Sequence, residues 1–139
     1  MNTLIVDDIT ENRSLLADIL KPFTHCDVAT NGQEAVEIFE AELVDGNPYD
    51  LVLLDIMMPI MDGQEALKRM RALEEHYQVP QENRAAIVMV TAVDAMSEIS
   101  EAFDIGGCTD YLNKPITRGK LLVKLAEHEL IPREWWKHS

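Results

Sequence analysis

The chain has 139 residues and a mass of 15.7 kDa, a length that suits one domain rather than two independent cores. Hydrophobic residues make up 47% and charged residues 27%, a globular balance that argues against intrinsic disorder. Twelve Lys and Arg against 25 Asp and Glu leave a net charge of −13, which excludes whole-domain attraction to nucleic acid or to an anionic membrane as the default.

Cys26 and Cys108 form neither a disulfide framework nor a zinc spacing and are expected to be small buried hydrophobes in a reducing compartment. Met1 to Asp8 has no basic region, and its apolar run is three residues long before two acids, so it is no secretory signal. No apolar run approaches the roughly 20 residues that span a bilayer. The expected location is cytoplasmic.

Five times along the chain a short apolar run is followed by an acidic or turn residue and then a helical pattern. The first run, Leu4-Ile5-Val6, precedes a helix in which Leu15, Leu16, Ile19 and Leu20 are expected to share one buried face. The second, Cys26 to Ala29, is more polar and reads as an edge strand. Its helix follows Asn31-Gly32 and buries Ala35, Ile38, Phe39 and Leu43. The third, Leu51 to Leu54, is continuously apolar, as a central strand covered on both faces must be. Its helix follows Asp62-Gly63 and buries Ala66, Leu67, Met70 and Leu73, with Gly63 suited to a tight turn. The fourth, Ala86 to Val90, is also central, and its helix buries Met96, Ile99, Ala102 and Phe103 before a Gly106-Gly107 stop. The fifth, Asp110 to Leu112, reads as the other edge, and its helix after Pro115 and Thr117 buries Leu121, Leu122, Leu125 and Ala126. Consecutive βα units predict an α/β fold with a parallel sheet and helices on both faces.

In such a sheet the chemistry gathers at the carboxyl ends of the strands. Those ends hold Asp7 and Asp8, then Asp55, then Thr91, then Lys114 before Pro115. Taken singly, each has an ordinary structural role: an aspartate caps a helix or turn, a threonine ends a strand, a lysine is solvated. Together they place three carboxylates, a hydroxyl and an ammonium on one rim. Crowded carboxylates resist ionising, and a hard divalent cation with oxygen ligands relieves them. The hydroxyl and ammonium suit phosphoryl oxygens, and an aspartate can be the nucleophile that forms an acyl phosphate.

The motifs LIVDD, LVLLDIMMPIMDG, VMVTA and DYLNKP, with the helix strings ENRSLL and ATNGQEAVE, resemble the receiver domain of bacterial two-component response regulators. The resemblance covers about Thr3 to Glu129 and is greatest to stand-alone receivers. It implies a flavodoxin-like doubly wound (βα)5 fold with a five-stranded parallel sheet ordered 2-1-3-4-5. It divides the chain into a receiver over residues 1–130 and a C-terminal tail over 131–139.

The resemblance also implies roles. Asp55 would accept a phosphoryl group, as 4-aspartylphosphate, from a histidine kinase or phosphotransfer protein in a phosphorelay. Mg²⁺, with Mn²⁺ as a substitute, would be held by the side chains of Asp8 and Asp55 and the backbone carbonyl of Met57, with Asp7 acting through a bound water. Thr91 and Lys114 would hold phosphoryl oxygens, with backbone N–H groups near Met57 and Ala92. Thr91 and Tyr111 would form the activation switch, and the Lys114-Pro115 bond would be cis. The surface of the fourth helix, fifth strand and fifth helix would meet a downstream protein target. The product would be a signalling state, so the protein would not be an enzyme beyond assisting its own phosphoryl transfer and loss. It would be a monomer or weak dimer, without direct contact to nucleic acid or membrane.

Met57 and Val93, two residues beyond Asp55 and Thr91, are apolar where the family flanks the path of hydrolytic water, which predicts a long-lived phosphorylated state. The methionines Met57, Met58, Met61, Met70, Met89 and Met96 suggest an adaptable binding surface, but most read as core or loop packing. His25, His76, His128 and His138 have no metal spacing. Trp135-Trp136 is either a partner anchor or a segment folded back over the last helix or frayed. Two rival functions use the same residues: an aspartate-nucleophile phosphatase of haloacid dehalogenase type, which needs a second aspartate where Met57 stands, and a receiver that docks or dimerises without phosphorylation. A flavin carrier would need a hydroxyl-rich loop where Asp7 and Asp8 lie.

Overall fold

A computed structural model of the chain describes residues 1–91 and 107–138. The fourth helical pattern, with Met96, Ile99, Ala102 and Phe103, lies outside the described residues, as do Ala92, Val93 and Gly106. The described elements are strands β1 (Asn2–Val6), β2 (His25–Ala29), β3 (Leu51–Asp55), β4 (Ala86–Thr91) and β5 (Asp110–Asn113), α-helices α1 (Thr10–Leu20), α2 (Gly32–Val44), α3 (Gly63–His76) and α4 (Arg118–Glu127), and two short 3-10 turns at Gln81–Asn83 and Trp135–His138. Helix α4 is the one expected after Thr117.

All strand pairs are parallel, and the order is β2-β1-β3-β4-β5. The two polar runs are the edges, and the continuously apolar β3 is buried at all five positions. Side chains alternate between two cores, as period-two geometry requires. Leu4, Val6, Val52, Leu54, Ile87 and Met89 pack with Ala35 and Phe39 of α2 and Leu67 and Met70 of α3. Ile5, Leu51, Leu53 and Val88 pack with Leu16, Ile19 and Leu20 of α1 and Leu121, Leu122 and Leu125 of α4. Each fully buried side chain of this size contributes about 1.5–3 kcal/mol.

Leu15 departs from expectation, being 48% exposed. At about 100° per residue, Leu16, Ile19 and Leu20 already span the face that meets the sheet, and Leu15 falls at its edge. Ile38, Leu43 and Leu73 are half-buried against the first core rather than within it. Cys108 is buried as expected, and burial pushes its thiol up to about 11, but Cys26 is only half-buried. Met70 and Met89 are core, whereas Met57 is 68% exposed.

The helices start where side chains satisfy free N–H groups. Asn31 accepts from Glu34 N at 2.9 Å, Asp62 from Glu65 N at 3.0 Å and Thr117 from Lys120 N at 3.2 Å. Gly63 is needed for a different reason from the tight turn expected. It opens α3 hard against the end of β3, where a Cβ would meet the Asp55 carbonyl oxygen and lie 2.8 Å from Ile56 Cα. Both are backbone atoms and cannot rotate away. Gly63→Ala is therefore expected to cost about 1–3 kcal/mol, measurable as a lower urea midpoint at unchanged slope. An unchanged midpoint would mean that α3 can move off β3 freely.

Two polar clusters were not anticipated. Glu74, 2% exposed, accepts from Arg71 Nη1 at 2.6 Å and from Ala85 N at 2.8 Å, tying α3 to the start of β4. Arg71 also donates to Ala85 O at 2.9 Å and Gly107 O at 2.9 Å. At the other edge Asp110 pairs with His128 Nε2 at 2.7 Å and Lys124 Nζ at 3.2 Å, joining β5 to α4. Partial burial pushes the Asp110 carboxyl up, but the bonds from His128, the Tyr111 N–H and Lys124 outweigh it and hold it below the usual range. A depressed folded value means stability present above the ordinary aspartate value of about 3.9 and lost as pH falls through the folded value. Asp110→Asn should lower the urea midpoint near pH 7 and lower it less near pH 3. An equal loss at both would show that the carboxylate charge is not what joins β5 to α4.

Candidate functional site

The registers bring the strand ends together. Val6 pairs with Leu54, so Asp7 emerges beside Asp55. Asp55 pairs with Val90 and Thr91 with Asn113, so Thr91 and Lys114 emerge on the far side of Asp55 from Asp7. Asp55 and Thr91 end the buried strands β3 and β4, and Asp7 and Lys114 directly follow β1 and β5. Thr91 O accepts from Lys114 N at 2.7 Å, which carries the pairing one residue past β5. The Lys114-Pro115 bond is cis, as expected.

Asp7 and Asp55 are 1% and 3% exposed, while Asp8 faces solvent. One carboxylate oxygen from each of the three lies within 4.8 Å of the others. Lys114 Nζ sits 3.2 Å from Asp55 Oδ2 and 3.7 Å from Asp7 Oδ2. Asp55 Oδ1 accepts from Met57 N at 3.2 Å, and Asp7 Oδ1 accepts from Ile9 N at 2.9 Å. Arg13 Nη1 donates to Asp7 O at 2.7 Å, so α1 holds the turn that carries Asp7 and Asp8. Thr91 is buried at the same end of the sheet, 1% exposed. Tyr111, on β5, is half-buried against the first core, with Lys124 Nζ 5.8 Å from its ring centre.

Burial pushes the Asp55 carboxyl above its ordinary value, the Lys114 ammonium opposes this, and the Asp7 carboxylate adds to the rise. The site thus holds more negative charge than one lysine offsets. Its donors are all oxygens, with no His or Cys among them, which fits a hard divalent cation such as Mg²⁺ better than zinc or copper. Asp7 already uses both oxygens on Ile9 and Lys114, whereas Asp8 is exposed.

Sequence reasoning located these residues but not the rim around them. Ile9, Leu15, Met57 and Ile60 are 46%, 48%, 68% and 77% exposed. Ile60 has φ of 70°, a strained value for a β-branched residue, and Met61 N donates across it to Pro59 O at 2.8 Å. The IMMPIMDG string gave no sign of that conformation.

Residues 3–126 match the family model of the response regulator receiver domain. The rice (Oryza sativa subsp. japonica) two-component response regulator ORR42 is 33% identical over 131 residues, which are 94% of this chain and 84% of that protein. The signal transduction histidine-protein kinase BarA of Escherichia coli is 35% identical over 122 residues, 87% of this chain but 12% of that protein. Among solved structures, the complex of the Saccharomyces cerevisiae histidine phosphotransfer protein Ypd1 with the receiver domain of Ssk1 gives a TM-score of 0.77 at 29% identity, covering 96% of this chain and 93% of the matched one. The CheX-CheY-BeF3-Mg²⁺ complex of Borrelia burgdorferi gives 0.76 at 29% identity, covering 93% and 89%. This chain belongs to the response regulator receiver domain family. Receiver domains are phosphorylation-based signalling modules of two-component systems, not enzymes in the ordinary sense. No helix among the described residues is long and apolar enough to cross a membrane.

Proposed function

We propose that Asp55 accepts a phosphoryl group from a histidine kinase or phosphotransfer protein. The observation that supports this most is the placing of Asp55 at a buried strand end, 3.2 Å from Lys114 and clustered with Asp7 and Asp8. The yeast relative paired with a histidine phosphotransfer protein supports the donor class. An Asp55 oxygen forms the new P–O bond while the donor's P–N bond breaks and its electron pair leaves with the imidazole nitrogen. Lys114 neutralises one phosphoryl oxygen, and the Thr91 hydroxyl donates to another. Asp8, Asp55 and the Met57 carbonyl would hold Mg²⁺ or Mn²⁺, with Asp7 acting through a water. The cation, when bound, supplies positive charge for the phosphoryl oxygens and for the carboxylates that crowd Asp55.

Drawing Thr91 toward the phosphoryl group lets Tyr111 move, and the face made with β5 and α4 changes its preference for a downstream protein. The chain then works as a monomer or weak dimer in the cytoplasm, with residues 1–130 as receiver and 131–139 as tail. The product is a changed binding surface, which sets it apart from the phosphatase reading. Acetyl phosphate with Mg²⁺ should shift the chain on a phosphate-affinity gel, and chelating the metal should prevent the shift. Asp55→Ala labelling as well as the parent would refute the assignment.

The lifetime of the label follows from Met57. An acyl phosphate is lost to in-line water, and a polar side chain beside that path orients the water. Met57 cannot, so Met57→Asn should speed loss of the label several-fold or more after donor removal. Equal decay in both proteins would show that residue 57 does not set the lifetime.

A further inference from the structure

Seven methionines and two cysteines carry the sulfur atoms that a peroxide can attack in this chain. The cysteines are poor targets. The thiolate is the reactive form, and burial, with Asp27 beside Cys26 and Asp110 beside Cys108, pushes both thiols up, that of Cys108 to about 11. A thioether has no proton to lose, so for methionine it is access to solvent that decides. Met70 and Met89 are fully buried, Met58 and Met61 are half-buried against the first core, and Met1 is 37% exposed. Met57, at 68%, is the most exposed methionine among the described residues.

That exposure belongs to a hydrogen-bonded loop. Ile56 N donates to Val90 O at 3.1 Å, Gly63 N to Ile56 O at 2.9 Å and Gly32 N to Met61 O at 3.1 Å, so the loop is tied to β4, to itself and to α2. Met57 N donates to Asp55 Oδ1 at 3.2 Å. The most open thioether of the described chain is thus fixed by its own backbone to the carboxylate proposed to carry the phosphoryl group.

We propose that Met57 is a reversible oxidation site whose sulfoxide shortens the life of the phosphorylated state. A peroxide delivers one oxygen to the Met57 sulfur. The O–O bond breaks, an S–O bond forms, the sulfur gives up two electrons, and the other peroxide oxygen leaves as water. A thioether is a weak hydrogen-bond acceptor, whereas the sulfoxide oxygen is a polar one. Beside the path of in-line water it orients the attacking molecule, as the side chain of Met57→Asn does. A thiol-dependent methionine sulfoxide reductase reverses the change: two thiols become a disulfide, the oxygen leaves as water, and the thioether returns. Peroxide then discharges the switch without acting on its kinase or its target. The effect on lifetime rests on the phosphoacceptor reading, whereas the oxidation itself does not.

The test treats the full chain with hydrogen peroxide at a dose that adds one oxygen per chain on average, and maps that oxygen by peptide mass spectrometry. Most of it should lie on Met57. The treated chain is then labelled with acetyl phosphate and Mg²⁺, the donor is removed, and decay is followed on a phosphate-affinity gel. A phase at least about threefold faster than the parent should appear, with the amplitude of the oxidised fraction. Methionine sulfoxide reductase with dithiothreitol should abolish that phase. Met57→Leu should decay at one rate before and after peroxide, which separates residue 57 from every other sulfur. The proposal is overturned if the first oxygen goes mainly to another sulfur, if oxidised chain decays as the parent does, or if Met57→Leu is accelerated equally. Faster loss in Met57→Asn beside no acceleration by the sulfoxide sinks the proposal and leaves the phosphoacceptor reading standing. A label that Asp55→Ala retains removes the phosphoacceptor reading, and with it the effect on lifetime, whatever the oxygen map shows.

Discussion

Glu74→Ala is expected to remove about 3–5 kcal/mol of folding stability, a larger loss than that of Gly63→Ala. Glu74 is 2% exposed and answers two donors at once, Arg71 Nη1 at 2.6 Å and Ala85 N at 2.8 Å. Truncating it leaves a guanidinium short of its counter-charge and a buried backbone N–H without an acceptor. Glu74→Gln keeps an oxygen for Ala85 N and should lose distinctly less. A domain with a total stability of about 5–15 kcal/mol would survive the first change only narrowly. Urea unfolding at unchanged slope measures both variants. A loss below about 1 kcal/mol for Glu74→Ala would mean that the pair is a surface ion pair in effect, with little net worth.

Asp8→Ala is expected to lower Mg²⁺ affinity and the rate of phosphorylation by acetyl phosphate at least tenfold, about 1.4 kcal/mol or more in each quantity. Asp8 is the exposed member of the acidic cluster, with one oxygen within 4.8 Å of the Asp7 and Asp55 carboxylates. Asp7 spends one oxygen on Ile9 N at 2.9 Å and has the other 3.7 Å from Lys114. Asp7→Asn should therefore cost less metal affinity than Asp8→Ala. Calorimetric titration with Mg²⁺ reads the first effect and gel shift with time reads the second. Equal affinity in parent and Asp8→Ala would remove Asp8 from the metal site.

Much of this architecture was legible because a parallel sheet writes itself plainly. Leu51 to Leu54 is apolar at every position since both faces are covered, and Asp55, Thr91 and Lys114 stand where those runs stop. Their convergence followed from topology and from a family resemblance, not from any one residue. Features that depend on distances between separate elements were not legible. Gly63 looked like a turn residue, yet what demands glycine is the approach of α3 to the Asp55 backbone. Glu74 carried no reading from the sequence, because nothing local says that Ala85 N will lie 2.8 Å away. Leu15 joined the apolar stripe by spacing, and only the sheet's position decides which edge of that stripe is left in water. Trp135 and Trp136 were adjacent in sequence but part in the fold, one against the core and one exposed.

The central claim is that Asp55 carries the phosphoryl group. Borohydride reduction of the phosphorylated chain converts an aspartyl phosphate to homoserine, which peptide mass spectrometry locates. Homoserine at position 55 alone, absent without phosphodonor or Mg²⁺, is the predicted result. Homoserine at position 7 or 8, or label retained in Asp55→Asn, would contradict the account.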